Sequence, residues 1–193
     1  MKSLALLFAA ALTSSAACAA VDLAAGAATA QACMACHGPG GVSATPEIPS
    51  LAGQPDAFLQ WQLVFFRTGQ RKSPVMQPMA QALKDDDIRN VAAFFAAQKP
   101  ARPANVSPAD PALMAQARKV VAGNRCAACH KDDFSGTQAT ARLAGQREDY
   151  LLKALRDFKS GARNGGAMAA MMEVVAPLAD DDLRALAHLL AHL

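Results

Sequence analysis

The chain has 193 residues, of which 52% are hydrophobic, only 5% aromatic and 18% charged, with a formal net charge of +3. Acid and base balance along its length, with six basic and six acidic side chains over 22–100 and eleven and ten over 106–193. No basic run is interleaved with aromatics, so no nucleic-acid partner is expected. Alanine-rich, aromatic-poor sequence reads as helical with an under-filled core. Each half is near the size at which folding needs help, and a large apolar cofactor would supply the missing volume.

The N-terminus begins Met1-Lys2-Ser3, continues as an apolar run from Leu4 to Leu12, and then carries small residues through Ala20. That pattern is a secretory signal peptide over 1–20, cleaved after Ala19 or Ala20. Cys18 leaves with it. Ser15, three before that cysteine, disfavours a lipoprotein reading, since an aliphatic residue belongs there. The remaining four cysteines are expected in an oxidising compartment, where disulfides are the plain alternative to a special role.

A first domain is expected over 21–99. A short helix from about Leu23 leads into Cys33-Met34-Ala35-Cys36-His37. Gly26, seven residues before Cys33, is small enough to allow close crossing of the first and last helices. Leu51-Ala52-Gly53-Gln54 follows. The spacing of Leu59, Leu63 and Phe66 then predicts a helix from Pro55 to about Thr68, with Pro55 suited to its first turn and Gly69 to its C-terminal end. Met76 and Met79 precede Leu83. The last helix opens on Asp85-Asp86-Asp87, favourable at the positive end of a helix dipole, and buries Ile88, Val91, Phe94 and Phe95. The proline-rich stretch 100–108 cannot be helical and reads as an extended, semi-rigid linker.

The second domain, over 109–193, repeats the first. Residues 51–71 align with 143–163 without a gap at a shift of 92, and nine of the 21 positions are identical. These include Leu143-Ala144-Gly145-Gln146, Gly161 and Arg163. Upstream, Cys126-Ala127-Ala128-Cys129-His130 matches the first motif at a shift of 93, after a helix from about Ala112 in which Ala117 stands near the place of Gly26. Downstream, Leu178-Ala179-Asp180-Asp181-Asp182 matches at a shift of 95 and opens a helix through Leu183, Leu186 and Leu190. No alternating strand pattern of useful length is present. The expected class is all-α.

Cys-x-x-Cys-His is the attachment sequence of c-type haem: two thiols add to the porphyrin vinyl groups, and the histidine ligates the iron. Cys33, Cys36, Cys126 and Cys129 are the expected attachment points of two covalent haems, with His37 and His130 as proximal ligands. Zinc is the rival for two Cys-x-x-Cys pairs, but here the pairs lie 90 positions apart and each is followed by histidine. A thioredoxin-like redox pair would need a strand-helix fold. A sixth ligand is expected from methionine, which favours reduced iron. Candidates are Met76 and Met79 in the first copy and Met168, Met171 and Met172 in the second. Counting back from Leu83 and Leu178 pairs Met76 with Met171; counting forward from Phe66 and Phe158 pairs Met76 with Met168. The downstream count is preferred, because Asn164-Gly165-Gly166 is a natural place for inserted residues. The repeated Arg71 and Arg163 suit haem propionates through their guanidinium forks. His188 and His192, four apart on the last helix, have metal-binding spacing, although such a pair is more often helix surface.

Two such motifs, each followed by Leu-Ala-Gly-Gln, a helix ending in Gly-x-Arg, and a methionine before Leu-x-Asp-Asp-Asp, resemble the cytochrome c4 family over about residues 22–193. The resemblance implies two tandem cytochrome c-like helical domains whose haem propionate edges meet near the domain interface, with His/Met ligation. It also implies a periplasmic electron carrier, often membrane-associated, between a cytochrome bc1 complex or similar donor and a terminal oxidase, rather than an enzyme. An electron-transfer subunit of a dehydrogenase, such as a flavin-containing sulfide dehydrogenase, is the alternative. A dihaem peroxidase is disfavoured, because a methionine is available in each copy. One departure stands out: the family often has a proline before the Leu-x-Gly-Gln segment whose carbonyl orients the proximal histidine. Pro49 fills that place in the first copy and Ala141 in the second, and each offers a carbonyl.

Overall fold

The computed structural model describes residues 20–103, 106–165 and 168–193. Residues 1–19 of the expected signal peptide lie outside the described residues. Among these residues the chain is helical, with one isolated bridge between Thr137 and Thr140.

The first half opens with α1 (Leu23–His37), where the Asp22 carboxylate accepts the N–H groups of Ala24 and Ala25 at 2.9 and 3.0 Å. Such a cap contributes about 1 kcal/mol by satisfying donors the helix leaves orphaned. The helix runs through the whole cysteine motif and stops at Gly38, whose φ of 80° ordinary side chains avoid. Next comes α2 (Asp56–Arg67), with Pro55 one place earlier than the sequence suggested, as the cap rather than the first helical residue. α3 (Met76–Gln81) and α4 (Asp85–Ala96) complete the unit. Ile88, Val91 and Phe95 are buried as their helical spacing requires, while Phe94 is only half-buried. α4 packs on α1 and α2. At the first crossing a Cβ on Gly26 would lie 2.2 Å from the Asn90 carbonyl oxygen, so only glycine fits there.

The second half repeats this order as α5 (Pro111–Gly123), α6 (Ala127–His130), α7 (Glu148–Lys159), α8 (Ala169–Val175) and α9 (Asp180–Ala191). Asp110 caps α5 as Asp22 caps α1. One difference matters. The helix entering the second motif is broken at Asn124, and Arg125 turns back with a φ of 53°. The extra residues before this motif cannot be absorbed in a continuous helix without rotating the cysteines off their face, so the chain restarts as the single turn α6. Ala117 is fully buried against Ala185 and Leu189, where α5 crosses α9. The short α3 and α8, at six and seven residues, are too brief to produce a periodic apolar stripe, and the sequence reading missed them.

The domains meet through polar and apolar contacts. Phe65 from α2 joins the cluster of Leu155, Phe158, Met168 and Val175 in the second domain. Phe58 donates its N–H to the Gln138 carbonyl at 3.0 Å. The linker is tethered as well. Pro100 packs on Gly53, Pro103 is buried, and Arg102 donates to the His192 carbonyl at 2.6 Å.

Candidate functional site

The last turn of α1 brings Cys33, Cys36 and His37 onto one face, because positions i, i+3 and i+4 of a helix are neighbours. α6 does the same for Cys126, Cys129 and His130. None of the four cysteines is in a disulfide; Cys36 and Cys129 are exposed, and Cys33 and Cys126 are half-buried. Burial pushes the Cys33 and Cys126 thiols above their ordinary value.

His37 and His130 are buried, and burial pushes both imidazoles below their ordinary value. His37 Nδ1 donates to the Pro49 carbonyl at 2.8 Å, and His130 Nδ1 to the Ala141 carbonyl at 2.9 Å. A carbonyl can only accept, so the ring proton sits on Nδ1 and Nε2 keeps its lone pair. The exchange of Pro49 for Ala141 leaves this bond intact. Identical backbone devices hold the two acceptor loops. The Gly41 carbonyl accepts Leu51 and Ala52 N–H, as the Phe134 carbonyl accepts Leu143 and Ala144 N–H. Gly53 and Gly145 donate to the Phe95 and Leu190 carbonyls, each at 2.9 Å.

The methionines occupy different settings. Met76 opens α3 and is half-buried, its N–H held by Ser73 Oγ at 3.1 Å. Met171 is half-buried on α8, against the second domain's core. Met168 is buried, and its sulfur accepts Arg163 Nε at 3.1 Å. α3 and α8 end in the same turn: Leu83 N–H bonds to the carbonyl of buried Ala80, and Leu178 N–H to that of buried Val175.

Arg71 and Arg163 converge from opposite domains. Each lies over its own phenylalanine, Phe66 or Phe158, at 4.5 Å from the ring centre. Both donate to the single Gln62 Oε1, at 2.6 and 2.9 Å, and Arg71 also reaches the Tyr150 hydroxyl at 3.3 Å. Among the described residues neither forms an ion pair. Burial of Arg163, only 7% exposed, brings its guanidinium down to about 10. Burial alone would raise the Tyr150 phenol, but the two guanidiniums outweigh it and bring the phenol down to about 8. Arg142 Nε, next to the carbonyl that holds His130, is buried without a hydrogen-bond partner.

The half-buried Arg71 and the buried Arg163 guanidiniums share one amide oxygen, and the Arg142 guanidinium, beside the His130 loop, keeps a buried nitrogen unpartnered; these are donors lacking anions. Haem propionates are carboxylates of the kind such forks bind. With two paired cysteines outside any disulfide and a histidine offering Nε2 in each domain, the residues present fit two haem c groups.

His188 and His192 do not lie on a free helix surface. His188 is 2% exposed, and its Nε2 accepts the Asp110 N–H at 2.8 Å while Nδ1 faces Glu148 at 3.1 Å. His192 bonds to the Ser107 carbonyl at 2.8 Å. Although Glu148, His188 and His192 cluster closely enough to hold a metal ion, the ring nitrogens are already engaged, those of His188 by the cap of α5 and by Glu148, and that of His192 by the linker at Ser107. Sequence reasoning also passed over Gln54, Gln62, Gln146 and Tyr150. The two glutamines of the Leu-Ala-Gly-Gln repeat were visible as repeated polar residues, a signal of a shared role. Gln62 and Tyr150 have Ala154 and Phe58 at the corresponding positions of the other copy, so the repeat offered no hint of them.

Comparison with known proteins defines the class: residues 21–95 match the family model described as cytochrome c oxidase, cbb3-type, subunit III, and residues 114–193 match that of cytochrome c. The chain is thus a two-domain c-type cytochrome. Cytochrome c4 of Pseudomonas aeruginosa is 36% identical over 178 residues, covering 87% of both chains. The crystal structure of reduced recombinant cytochrome c4 from Pseudomonas stutzeri superposes with a TM-score of 0.81 at 34% identity, covering 90% of this chain and all of that one. A protein of Stutzerimonas stutzeri described as a thiosulfate dehydrogenase electron acceptor is 32% identical over 171 residues, covering 84% of this chain and 79% of its own. The chain belongs to the cytochrome c4 family and is a dihaem electron-transfer protein with two covalently attached haem c groups.

Proposed function

We propose that this protein carries electrons between periplasmic redox partners through two haem sites of like construction. Cys33, Cys36, His37 and Met76 build the first, and Cys126, Cys129, His130 and Met171 the second. When bound, the haem supplies a reversible one-electron couple at iron. The protein binds it through thioether bonds, directs histidine Nε2 by engaging Nδ1 with a main-chain carbonyl, and offers Arg71 and Arg163 to the propionates. The carrying observation is the pair of Nδ1–carbonyl bonds, at 2.8 and 2.9 Å, within two complete Cys-x-x-Cys-His motifs. Support for Met171 over Met168 comes from the shared turn after α3 and α8, which keeps the downstream count of seven residues from Met76 to Leu83 and from Met171 to Leu178. The Met168 sulfur, by contrast, already accepts a bond from Arg163. If Met76 and Met171 held the irons, no position would be left for a substrate, which favours a carrier over a catalyst.

A respiratory route from a bc1-type complex to a terminal oxidase suits this reading. The likeness to a thiosulfate dehydrogenase electron acceptor supports a second one, in which the donor is a dehydrogenase. Among the described residues no helix is long and apolar enough to cross a membrane, so any membrane association is proposed to be peripheral. The test is an optical spectrum of the exported protein with a pyridine haemochrome count. Two haems are expected, with a far-red methionine-to-ferric-iron band that weakens in Met76→Ala and Met171→Ala and persists in Met168→Leu. One haem, or high-spin iron in the unaltered protein, would overturn the reading. Reduction by a thiosulfate dehydrogenase, compared with reduction by a bc1-type complex, separates the two donors.

A further inference from the structure

The repeated Leu-Ala-Gly-Gln segments end in glutamines that reach into the opposite domain. Gln146 Oε1 accepts the Ser50 N–H at 2.8 Å, and its Nε2 donates to the Ser50 carbonyl at 2.8 Å. Gln54 Oε1 accepts the Arg142 N–H at 3.0 Å, and its Nε2 donates to the Arg142 carbonyl at 2.8 Å. Ser50 and Arg142 are equivalent positions in the duplication, 92 residues apart, so the exchange is reciprocal. Both glutamines are 5% exposed, which shields these bonds from competing water.

The identity of the clasped peptide gives the contact its meaning. The Pro49 carbonyl and the Ser50 N–H are two ends of one resonance-delocalised peptide unit. Its oxygen accepts His37 Nδ1–H, and its nitrogen donates to Gln146 of the other domain. In the second site the Ala141–Arg142 unit joins His130 Nδ1–H to Gln54. An acceptor drawing on the N–H shifts electron density toward the carbonyl oxygen, and hydrogen bonds in such a chain strengthen one another. A stronger acceptor at Nδ1–H makes Nε2 more basic. A more electron-rich ligand favours ferric over ferrous iron, and hydrogen bonding around the haem is one of the levers that set its potential.

We propose that Gln146 and Gln54 are cross-domain positioning residues. Gln146 sets the potential of the first domain's iron through Ser50, Pro49 and His37, and Gln54 that of the second through Arg142, Ala141 and His130. Docking of the domains thereby holds both potentials lower than either domain would have alone. This inference rests on His37 and His130 being the proximal ligands.

The test is a spectroelectrochemical titration of the full-length, two-haem protein and of its Gln146→Leu and Gln54→Leu variants. Each iron is assigned through Met76→His and Met171→His backgrounds. Gln146→Leu is expected to raise the ferrous-to-ferric ratio of the first iron roughly two- to tenfold, or about 18 to 59 mV at 59 mV per tenfold for one electron, and to move the second iron less. Gln54→Leu is expected to do the reverse. In the diamagnetic reduced state the His37 Nδ1–H proton resonance should move upfield in Gln146→Leu while that of His130 holds. The variant Gln146→Glu, which keeps an acceptor opposite Ser50 N–H, should leave the first potential unchanged or lower; it also serves if the leucine variant fails to load haem. Equal shifts of both irons, a shift confined to the variant's own domain, or a raised first potential in Gln146→Glu would overturn the proposal. Loss of histidine ligation in the unaltered protein's spectrum would instead overturn the ligand assignment beneath it.

Discussion

Each motif histidine offers a single free nitrogen because its Nδ1 proton is engaged by a main-chain carbonyl, and burial keeps the ring neutral. The arginines follow the opposite logic. Arg71 and Arg163 share one amide oxygen at the domain boundary, and the Arg163 guanidinium, at about 10, is still a cation at neutral pH. Tyr150 reports on them, since it is the only tyrosine in the sequence. Facing the guanidiniums alone, its phenol sits at about 8. Propionates would neutralise part of that positive charge and weaken its pull on the phenolate, so titration must move upward. The phenolate absorbance of the haem-loaded protein should therefore develop well above pH 8, toward the ordinary tyrosine range near 10. A midpoint at or below 8 in the loaded protein would mean that the propionates lie elsewhere.

At the scale of elements, the decisive contact in each domain is the crossing of its first and last helices. α1 meets α4 at Gly26, where a Cβ would fall 2.2 Å from a backbone oxygen, and α5 meets α9 at fully buried Ala117. Because that oxygen belongs to the backbone of α4, no rotamer change relieves the clash, and the helices must part. Gly26→Val should destabilise the first domain by about 1–3 kcal/mol, the usual range for overpacking. Calorimetry should show the first-domain transition moving down while the second holds. The expectation that Gly26 permits a close crossing was legible from its place before the motif. The break between α5 and α6 was not. Extra residues before the second motif were countable, but only packing against α9 decides that the helix stops and restarts instead of carrying the insertion as a bulge.

Taken whole, the molecule is fastened along its linker as well as across its interface. Arg102 donates to the His192 carbonyl, His192 reaches the Ser107 carbonyl, and Ser107 Oγ donates to Glu148 at 2.8 Å. His192→Ala should leave both haems attached, yet make the stretch 100–108 a faster target for limited proteolysis, because it releases the backbone of that segment. Unchanged cleavage would mean that proline stiffness alone protects it. The same interface joins each domain's glutamine to the other's histidine loop, so the two sites are parts of one structure even though the chain encodes them separately.

Local chemistry and duplication were open to reading in the sequence. Covalent attachment requires two cysteines and a histidine within five residues, helices announce themselves by apolar spacing, and a repeated unit exposes itself by comparison with its own copy. Counting from repeated landmarks narrowed the second methionine to Met171 or Met168, because the two counts differ by the residues inserted between them. The tertiary structure alone decided what lies close across long separations. Gln146 finds Ser50 96 positions away, Gln62 gathers an arginine from each domain, and His188 is buried against Asp110 and Glu148 instead of facing water. No periodicity or motif encodes such meetings, because they depend on how two finished domains are docked, and a side chain's partner across an interface leaves no mark in the residues beside it.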